Sequence, residues 1–310
     1  MKDLIILGNG MAGMTAALYA KRANLDFKIV GRDEYDFGQI GNAILVENFP
    51  CVESQSGFEL ATKLHDQLND NGIEIEEHEV AVVSELEEGG FTIKYSDGTE
   101  EYARTVIYAL GASHRQLNCE IEEGIPIHYC ALCDGALYQN KTVAVIGGGD
   151  AAFTQAEYLA KICREVRIIM CDRNITASPS TFKRVKSIKN IHINYDFLVG
   201  RIYRNKPEYP YRRSGILTIE EQHSGKGWSE IEVDGVFVAI GMKPNTTPIN
   251  LTVCNSQGYI NANENGICVE CPGFFAAGDC RTKTVRQGIT AAADGANAVQ
   301  SVINYLKKFK

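Results

Sequence analysis

Cys130 and Cys133 are separated by two residues in HYCALCDGALY, residues 128–138, with Asp134 and Gly135 directly behind them. Such a pair can grip a metal, close a static staple or carry electrons as a dithiol/disulfide couple. A tetrahedral zinc site needs four ligands. The chain offers one further pair at that spacing, Cys268 and Cys271 in GICVECPGFFAAGD, 135 residues beyond Cys133. That stretch reads as strand and turn, where side chains three residues apart point to opposite faces. The six histidines show no metal-ligand spacing and claim no role, so no metal is expected. A CxxC at the start of a helix favours the thiolate of its first cysteine, because the helix amides stabilise negative charge. CALCDGALY has the look of such a start, and a redox pair is the reading the residues favour over clip or staple.

Two glycine-rich turns supply the frame. DLIILGNGMAGMTAALYAKRANLDFKIV holds an apolar strand, glycines at 8, 10 and 13, an alanine-rich helix and a second strand. This is a dinucleotide fingerprint in its required context: Gly8 for the tight turn, Gly10 for approach of a pyrophosphate, Gly13 for close helix packing. The helix N-terminus then faces the phosphates. The plan recurs in KTVAVIGGGDAAFTQAEYLAKICREVRIIMCD, where Gly147, Gly149 and Ala152 follow a strand and open a helix. This second Rossmann-like unit offers a further nucleotide site at Gly147 and Gly149. Asp172, after its second strand, reads equally as a ribose 2'-OH ligand or a solvated turn residue.

The 310 residues suit two domains. With 45% hydrophobic residues, 23% charged residues and 29 glycines, the composition is that of a turn-rich globular protein. The longest apolar runs fall far short of the ~18–20 residues of a membrane span, and no export signal is evident, so a cytoplasmic protein is expected. Its ten cysteines then read mostly as reduced thiols, the eight outside the CxxC as small buried hydrophobes. Cys280 is the foremost candidate among these for additional redox sensitivity. The net charge is -8, yet Lys161 to Arg213 holds 13 Lys or Arg against four acids. That excess suggests an anionic partner, or a solvated hairpin around NKPEYPYRRSG.

Taken together, the chain resembles the low-molecular-weight thioredoxin reductases from end to end. The matching stretches are GNGMAG at 8–13, FGQIGNAILVENFP at 37–50, CALCDG at 130–135, GGGDAA at 147–152, GVFVAIGMKPNT at 235–246 and FFAAGDCRTKTVRQGITAAADGANA at 274–298. The resemblance implies an α/β fold of two Rossmann-like, three-layer nucleotide-binding domains. An FAD domain, residues 1–115 and 246–310, would be interrupted by a smaller central domain, 116–245, carrying the CxxC. FAD would be held by Gly8, Gly10 and Gly13, by Gln39 and Asn48 near the flavin, and by Gly278 and Asp279. Asp279 would meet the ribityl hydroxyls, while Arg286 and Gln287 lead into a helix whose first amides face the flavin. Cys133 would face the flavin and Cys130 attack the disulfide of thioredoxin or a thioredoxin-like protein. Asp134 would exchange protons with the thiols, a role compatible with its also being a helix-start residue. A homodimer is implied, and no nucleic-acid or membrane partner.

One segment departs from the family. NADPH-dependent members carry HRRxxxR after the second strand of the central domain; here the stretch is MCDRNIT, residues 170–176. Met170 replaces the histidine, and Cys171, Asp172 and Thr176 replace the three basic residues. Arg173 is one step out of register, and phosphate recognition depends on geometry as well as sign. The donor favoured by this departure is an acidic carrier such as reduced ferredoxin, as in the ferredoxin-dependent flavin thioredoxin reductases. NADH is the alternative, since GGGDAA is intact, with NAD(P)H use otherwise uncertain. A second flavin in the vacated site, or a flavin redox sensor without turnover, are further readings.

Overall fold

The computed structural model of the chain describes residues 1–43, 46, 48–205, 217–221 and 229–309, leaving aside the side chains of Leu132, Cys133, Glu221 and Phe309. The chain divides into two compact units, Met1–Ser113 with Lys243–Lys310, and His114–Met242.

The first unit opens with β1 (Lys2–Leu7), α1 (Met11–Arg22) and β2 (Phe27–Gly31), then α2 (Gly57–Asp70) and β3 (Ile75–Glu77). It continues through β4 (Val80–Glu85), β5 (Phe91–Tyr95) and β6 (Glu100–Tyr108), and β7 (Ala112–His114) follows at the unit boundary. In the second unit come β8 (Glu120–Ile121), β9 (Ile127–His128), α3 (Ala131–Asp134), β10 (Thr142–Ile146), α4 (Asp150–Leu159) and β11 (Glu165–Ile169). After these lie α5 (Pro179–Lys186), β12 (Ile191–Asn194), β13 (Val199–Arg204), β14 (Leu217–Glu221), β15 (Glu230–Val233) and β16 (Gly235–Val238). The chain then passes through β17 (Met242–Pro244) and returns to the first unit for β18 (Phe274–Ala276) and α6 (Gly288–Leu306).

The seven-stranded sheet of the first unit has the order β3-β2-β1-β6-β5-β4, with β18 also pairing β6. β1 lies parallel between β2 and β6, and β18 runs parallel along the C-terminal half of β6. Side chains on a strand alternate between faces, and a parallel sheet is covered on both. Accordingly Leu4 and Ile6 join the cluster with α1 and α6, while Ile5 and Leu7 join the cluster on the other face. The second unit repeats this arrangement. Its parallel sheet has the order β12-β11-β10-β16-β9, with Val143 and Val145 on one face and Ala144 and Ile146 on the other. A mixed four-stranded sheet, β15-β14-β13-β8, completes it. The α/β class with Rossmann-like units read from the sequence is the architecture observed. Among the described residues no helix is long and apolar enough to cross a membrane.

Candidate active site

The first glycine turn is built as a cradle. Gly8 has φ +108°, which an L side chain rarely adopts, and a Cβ there would lie 2.4 Å from Ala109 O. A Cβ on Gly13 would lie 1.7 Å from Gly8 O, so its absence is what lets α1 start against the turn. Gly10 differs. Its φ of -76° is ordinary, and a Cβ would meet only Phe37 O, at 3.5 Å. The chain itself thus gives no steric reason for glycine at position 10, whereas a phosphate group approaching the N-terminus of α1 does. Asn9, between them, donates through Nδ2 to the carbonyls of Asp33 and Glu34 at 2.8 and 3.2 Å, fixing the loop after β2.

The late motif closes on this turn within the same unit. Gly278, with φ +79°, would place a Cβ 3.1 Å from that of Ala12 in α1, and its amide donates to Asp294 Oδ2 at 3.0 Å. Asp294 is buried and receives Arg281 at 2.6 Å and Lys283 at 2.8 Å. A buried charge is tolerated when paired in this way, and the trio anchors the loop that carries Asp279. Sequence reasoning missed it, because three charges along one loop and helix look like solvated residues until the fold buries them.

Asp279 Oδ1 and Arg286 Nε are buried without a hydrogen-bond partner. The nearest cation to Asp279 Oδ1, Lys283 Nζ, is 4.0 Å away. Burial pushes the Asp279 carboxyl up from the ordinary carboxylate range, while Lys283 and Arg286 pull it down. The Arg286 guanidinium lies over Tyr259, 4.3 Å from the ring centroid. Gln287 caps α6, and its Oε1 accepts from Asn48 Nδ2 at 3.0 Å, joining two motifs 239 residues apart. Gln39 Nε2 donates to Ala112 O at 3.0 Å. Orphaned buried groups call for an outside partner. The open cradle at Gly10, the unpartnered acceptor at Asp279 and the unpartnered donor at Arg286 fit FAD, a ligand with phosphates and ribityl hydroxyls.

In the second unit Cys130 is disulfide-bonded and directly precedes α3, which is only four residues long and passes into a 3-10 turn, Gly135–Tyr138. The side chain of Cys133 lies outside the described residues. The Asp134 amide donates to Cys130 O at 3.2 Å, closing the first turn. Gln155, from α4, brackets Cys130: its Nε2 donates to Tyr129 O and its Oε1 accepts from the Ala131 amide, both at 3.2 Å. Gly135 permits close packing of this turn, since a Cβ would lie 3.1 Å from Leu159.

Asp134 Oδ2 lies 2.8 Å from His128 Nδ1, and His128 Nε2 lies 2.7 Å from the Tyr138 hydroxyl. Burial raises the Tyr138 pKa, with the Asp134 charge adding to it. No role is read for any histidine from the sequence; the fold places His128 in contact with both Asp134 and Tyr138. His128 stands two residues before Cys130 on a strand, a spacing that carries no sequence signal, and only the return of the chain through α3 brings Asp134 back to it.

The second glycine turn keeps its backbone form, with Gly147 at φ +144° and a hypothetical Cβ 2.3 Å from Ala239 O. Its surroundings are engaged by the chain itself. Thr176, at the third replaced basic position, bonds Gly148 O through its amide at 3.0 Å and its hydroxyl at 3.3 Å. That hydroxyl also stands 3.3 Å from where a Cβ of Gly149 would be. Asp172 Oδ1 accepts from the Asn174 amide at 2.7 Å, an Asx turn. Arg173 pairs with Asp196 at 2.6 Å.

The basic segment is partly neutralised. Arg167, Arg173, Arg184 and Arg201 pair with Glu165, Asp196, Glu157 and Glu120, two of these acids coming from outside the segment. Lys161, Lys183, Lys186 and Lys189 are exposed. The NKPEYPYRRSG hairpin lies outside the described residues.

Among the other cysteines, Cys163, Cys268, Cys271 and Cys280 are buried, whereas Cys51 and Cys171 are exposed, against the expectation of burial. Cys268 and Cys271 flank a turn and enter one apolar cluster rather than opposite faces, because the chain reverses between them. Among the described residues no group of three or more His, Cys, Asp or Glu is placed to hold a metal ion. Burial pushes the Cys280 thiol up to about 12, which disfavours the thiolate that redox sensitivity requires.

Comparison with known proteins gives the same picture. The family model described as pyridine nucleotide-disulphide oxidoreductase matches residues 2–295. The thioredoxin reductase of Bacillus subtilis is 34% identical over 313 residues, covering 99% of this chain and 96% of that protein. A 34.2 kDa protein in the rubredoxin operon of Clostridium pasteurianum is 35% identical over 309 residues, with 98% and 97% covered. Among solved structures, Lactococcus lactis thioredoxin reductase in its FR conformation aligns with a TM-score of 0.80 at 29% identity, covering 99% of this chain and all of that one. A ferredoxin-flavin thioredoxin reductase from Clostridium acetobutylicum aligns with a TM-score of 0.54 at 26% identity, covering 99% and 98%. With a glycine cradle and orphaned polar groups suited to FAD in one unit and a disulfide-bonded Cys130 in the other, the chain belongs to the pyridine nucleotide-disulphide oxidoreductase family and is an enzyme of disulfide chemistry.

Proposed function

We propose that the enzyme passes electrons from FAD to the Cys130/Cys133 couple and from there to the disulfide of thioredoxin or a thioredoxin-like protein. The disulfide at Cys130, one helical turn before Asp134 and bracketed by Gln155, is the observation that carries this reading. Bound FAD supplies the two electrons that open the enzyme's disulfide. The backbone of Gly8 and Gly10 and the N-terminus of α1 would receive its pyrophosphate. Asp279 and Arg286 would take the polar groups that their orphaned atoms await. Gln39, Asn48 and Gln287 would line the flavin, with the first amides of α6 favouring negative charge there.

In the outgoing half-reaction the Cys130 thiolate attacks one sulfur of the partner's disulfide. An S–S bond forms between the proteins, and the other partner sulfur leaves with the electron pair and takes a proton from Asp134. Asp134 regains a proton from the Cys133 thiol, whose thiolate displaces the remaining partner sulfur from Cys130. That sulfur leaves protonated by Asp134, and the enzyme's disulfide is restored. Two electrons and two protons have passed to the partner.

The donor we infer is reduced ferredoxin or a similar small acidic carrier. Three features support it: an Asp172 turn where the 2'-phosphate grip would be, an Arg173 already paired, and exposed lysines on and beside α5. The retained form of Gly147 and Gly149 favours NADH as the second reading. For the outlet, the FAD-bound protein reduced with dithionite should convert oxidised thioredoxin to its dithiol. Cys130→Ser should leave the flavin reducible and stop that transfer, and a fully active Cys130→Ser protein would contradict the assignment.

A further inference from the structure

We propose that His128 is a positioning residue for Asp134, holding its carboxylate in place for proton exchange and being held in turn by Tyr138. The inference rests on the role given to Asp134 above. His128 is 9% exposed, and both ring nitrogens have a partner, at 2.8 Å to Asp134 Oδ2 and 2.7 Å to the Tyr138 hydroxyl. A neutral imidazole has one donor and one acceptor nitrogen. With the Tyr138 hydroxyl donating to Nε2, Nδ1 carries the proton and donates to the carboxylate, so both ring nitrogens of His128 are satisfied.

The elements around it hold this arrangement fixed. His128 lies on β9, paired with β16 at Phe237, whose ring is 5.1 Å away. Tyr138 packs edge-on to the same Phe237, and a Cβ on Gly235 would lie 2.2 Å from the Tyr138 ring. Glycine at 235 therefore makes the room that lets the tyrosine reach the histidine. The charged groups that act on Tyr138 are Asp134, Asp234 and Arg204, and Lys141 Nζ lies 5.6 Å from its ring centroid. Asp134 sits on a helix of one turn, which alone gives a side chain little rigidity. A carboxylate that serves two successive proton transfers benefits from a fixed orientation, and the buried strand residue provides it.

The test is single-turnover reduction of a thioredoxin by the dithionite-reduced, FAD-bound full chain. Asp134→Asn is expected to slow it by about a hundredfold or more, the range of a lost proton-transfer group. His128→Phe, which keeps bulk and removes both hydrogen bonds, is expected to slow it about tenfold, within the range of coupling in such networks. The double variant should be no slower than Asp134→Asn alone, because the histidine acts only through the carboxylate. His128→Asn places an amide nitrogen near the Nδ1 position and should recover most of the rate, whereas His128→Gln mimics Nε2 and should not. A wild-type rate in His128→Phe, multiplicative losses in the double variant, or equal recovery by Asn and Gln would each overturn the proposal. An unimpaired Asp134→Asn protein would instead overturn the role of Asp134 itself. Should His128→Phe not fold, the Asn and Gln variants, checked by thermal midpoint, decide the question.

Discussion

A buried carboxylate oxygen with no hydrogen-bond donor, as at Asp279 Oδ1, is unfavourable by about 1–3 kcal/mol until something outside the chain donates to it. Replacing Asp279 by Ala removes that orphan. The FAD-free variant should then melt no lower than the FAD-free parent, while the rise in melting temperature on adding FAD shrinks sharply. A lower midpoint in the FAD-free variant would show a structural role instead. The buried thiols make a different prediction. Cys163 and Cys271 are pushed up to about 11 and Cys280 to about 12, mainly by burial, from an ordinary value of 9.0. Below pH 9 these thiols are protonated folded or unfolded; above it the unfolded chain releases protons that the folded chain retains, so folding stability falls as pH rises from 9 toward 12. At pH 8 iodoacetamide should label exposed Cys51 and Cys171 and spare Cys280, as read by peptide mass mapping. Asp279 and Gln287 were legible because they sit inside a contiguous motif. His128 and Asp294 were not, since their partners are set by chain reversals that no local pattern records.

The helices that deliver these residues depend on close approach. α1 and α6 touch where a Cβ on Gly295 would lie 2.2 Å from Ala12 O, so the two backbones meet with no side chain between them. Gly295→Val should force them apart, lowering stability by about 1–3 kcal/mol as overpacking does. It should also weaken FAD retention, because Gly278 packs on Ala12 beside the same contact. A variant with parent-like midpoint and full flavin content after gel filtration would contradict this account of the packing. Both glycine turns could be read from spacing, since Gly8 and Gly147 meet steric demands that fix residue type. The brevity of α3 has one local signal, Gly135 directly after it, since glycine is a poor helix former and a common helix stop; Ala131–Asp134 are α-helical before the 3-10 turn. By contrast, the chain turns at Val269 and Glu270, between Cys268 and Cys271, a reversal that strand periodicity does not capture.

The whole molecule combines a family fold with a second glycine turn followed, in MCDRNIT, by Met170, Cys171, Asp172 and Thr176. Its -8 net charge is unevenly spread, and the excess of 13 basic over four acidic residues from Lys161 to Arg213 falls in the second unit's span of sequence. The pairing of Arg184 and Arg201 with Glu157 and Glu120 shows why counting charges along a segment overstates its field: folding brings in acids from elsewhere. Among the described residues the segment keeps exposed lysines, Lys161, Lys183, Lys186 and Lys189, and the proposed acidic donor would be guided by such charges. Fold, FAD cofactor and disulfide chemistry follow from motifs that recur across a family, whereas the proposed donor rests on a few side chains in MCDRNIT, residues 170–176. The most direct test of the electron path is an anaerobic titration of the FAD-bound protein with NADPH, NADH and reduced ferredoxin in parallel, following flavin absorbance. Bleaching by ferredoxin, with NADPH ineffective at low concentration, is the predicted result; rapid bleaching by low NADPH would contradict the assignment.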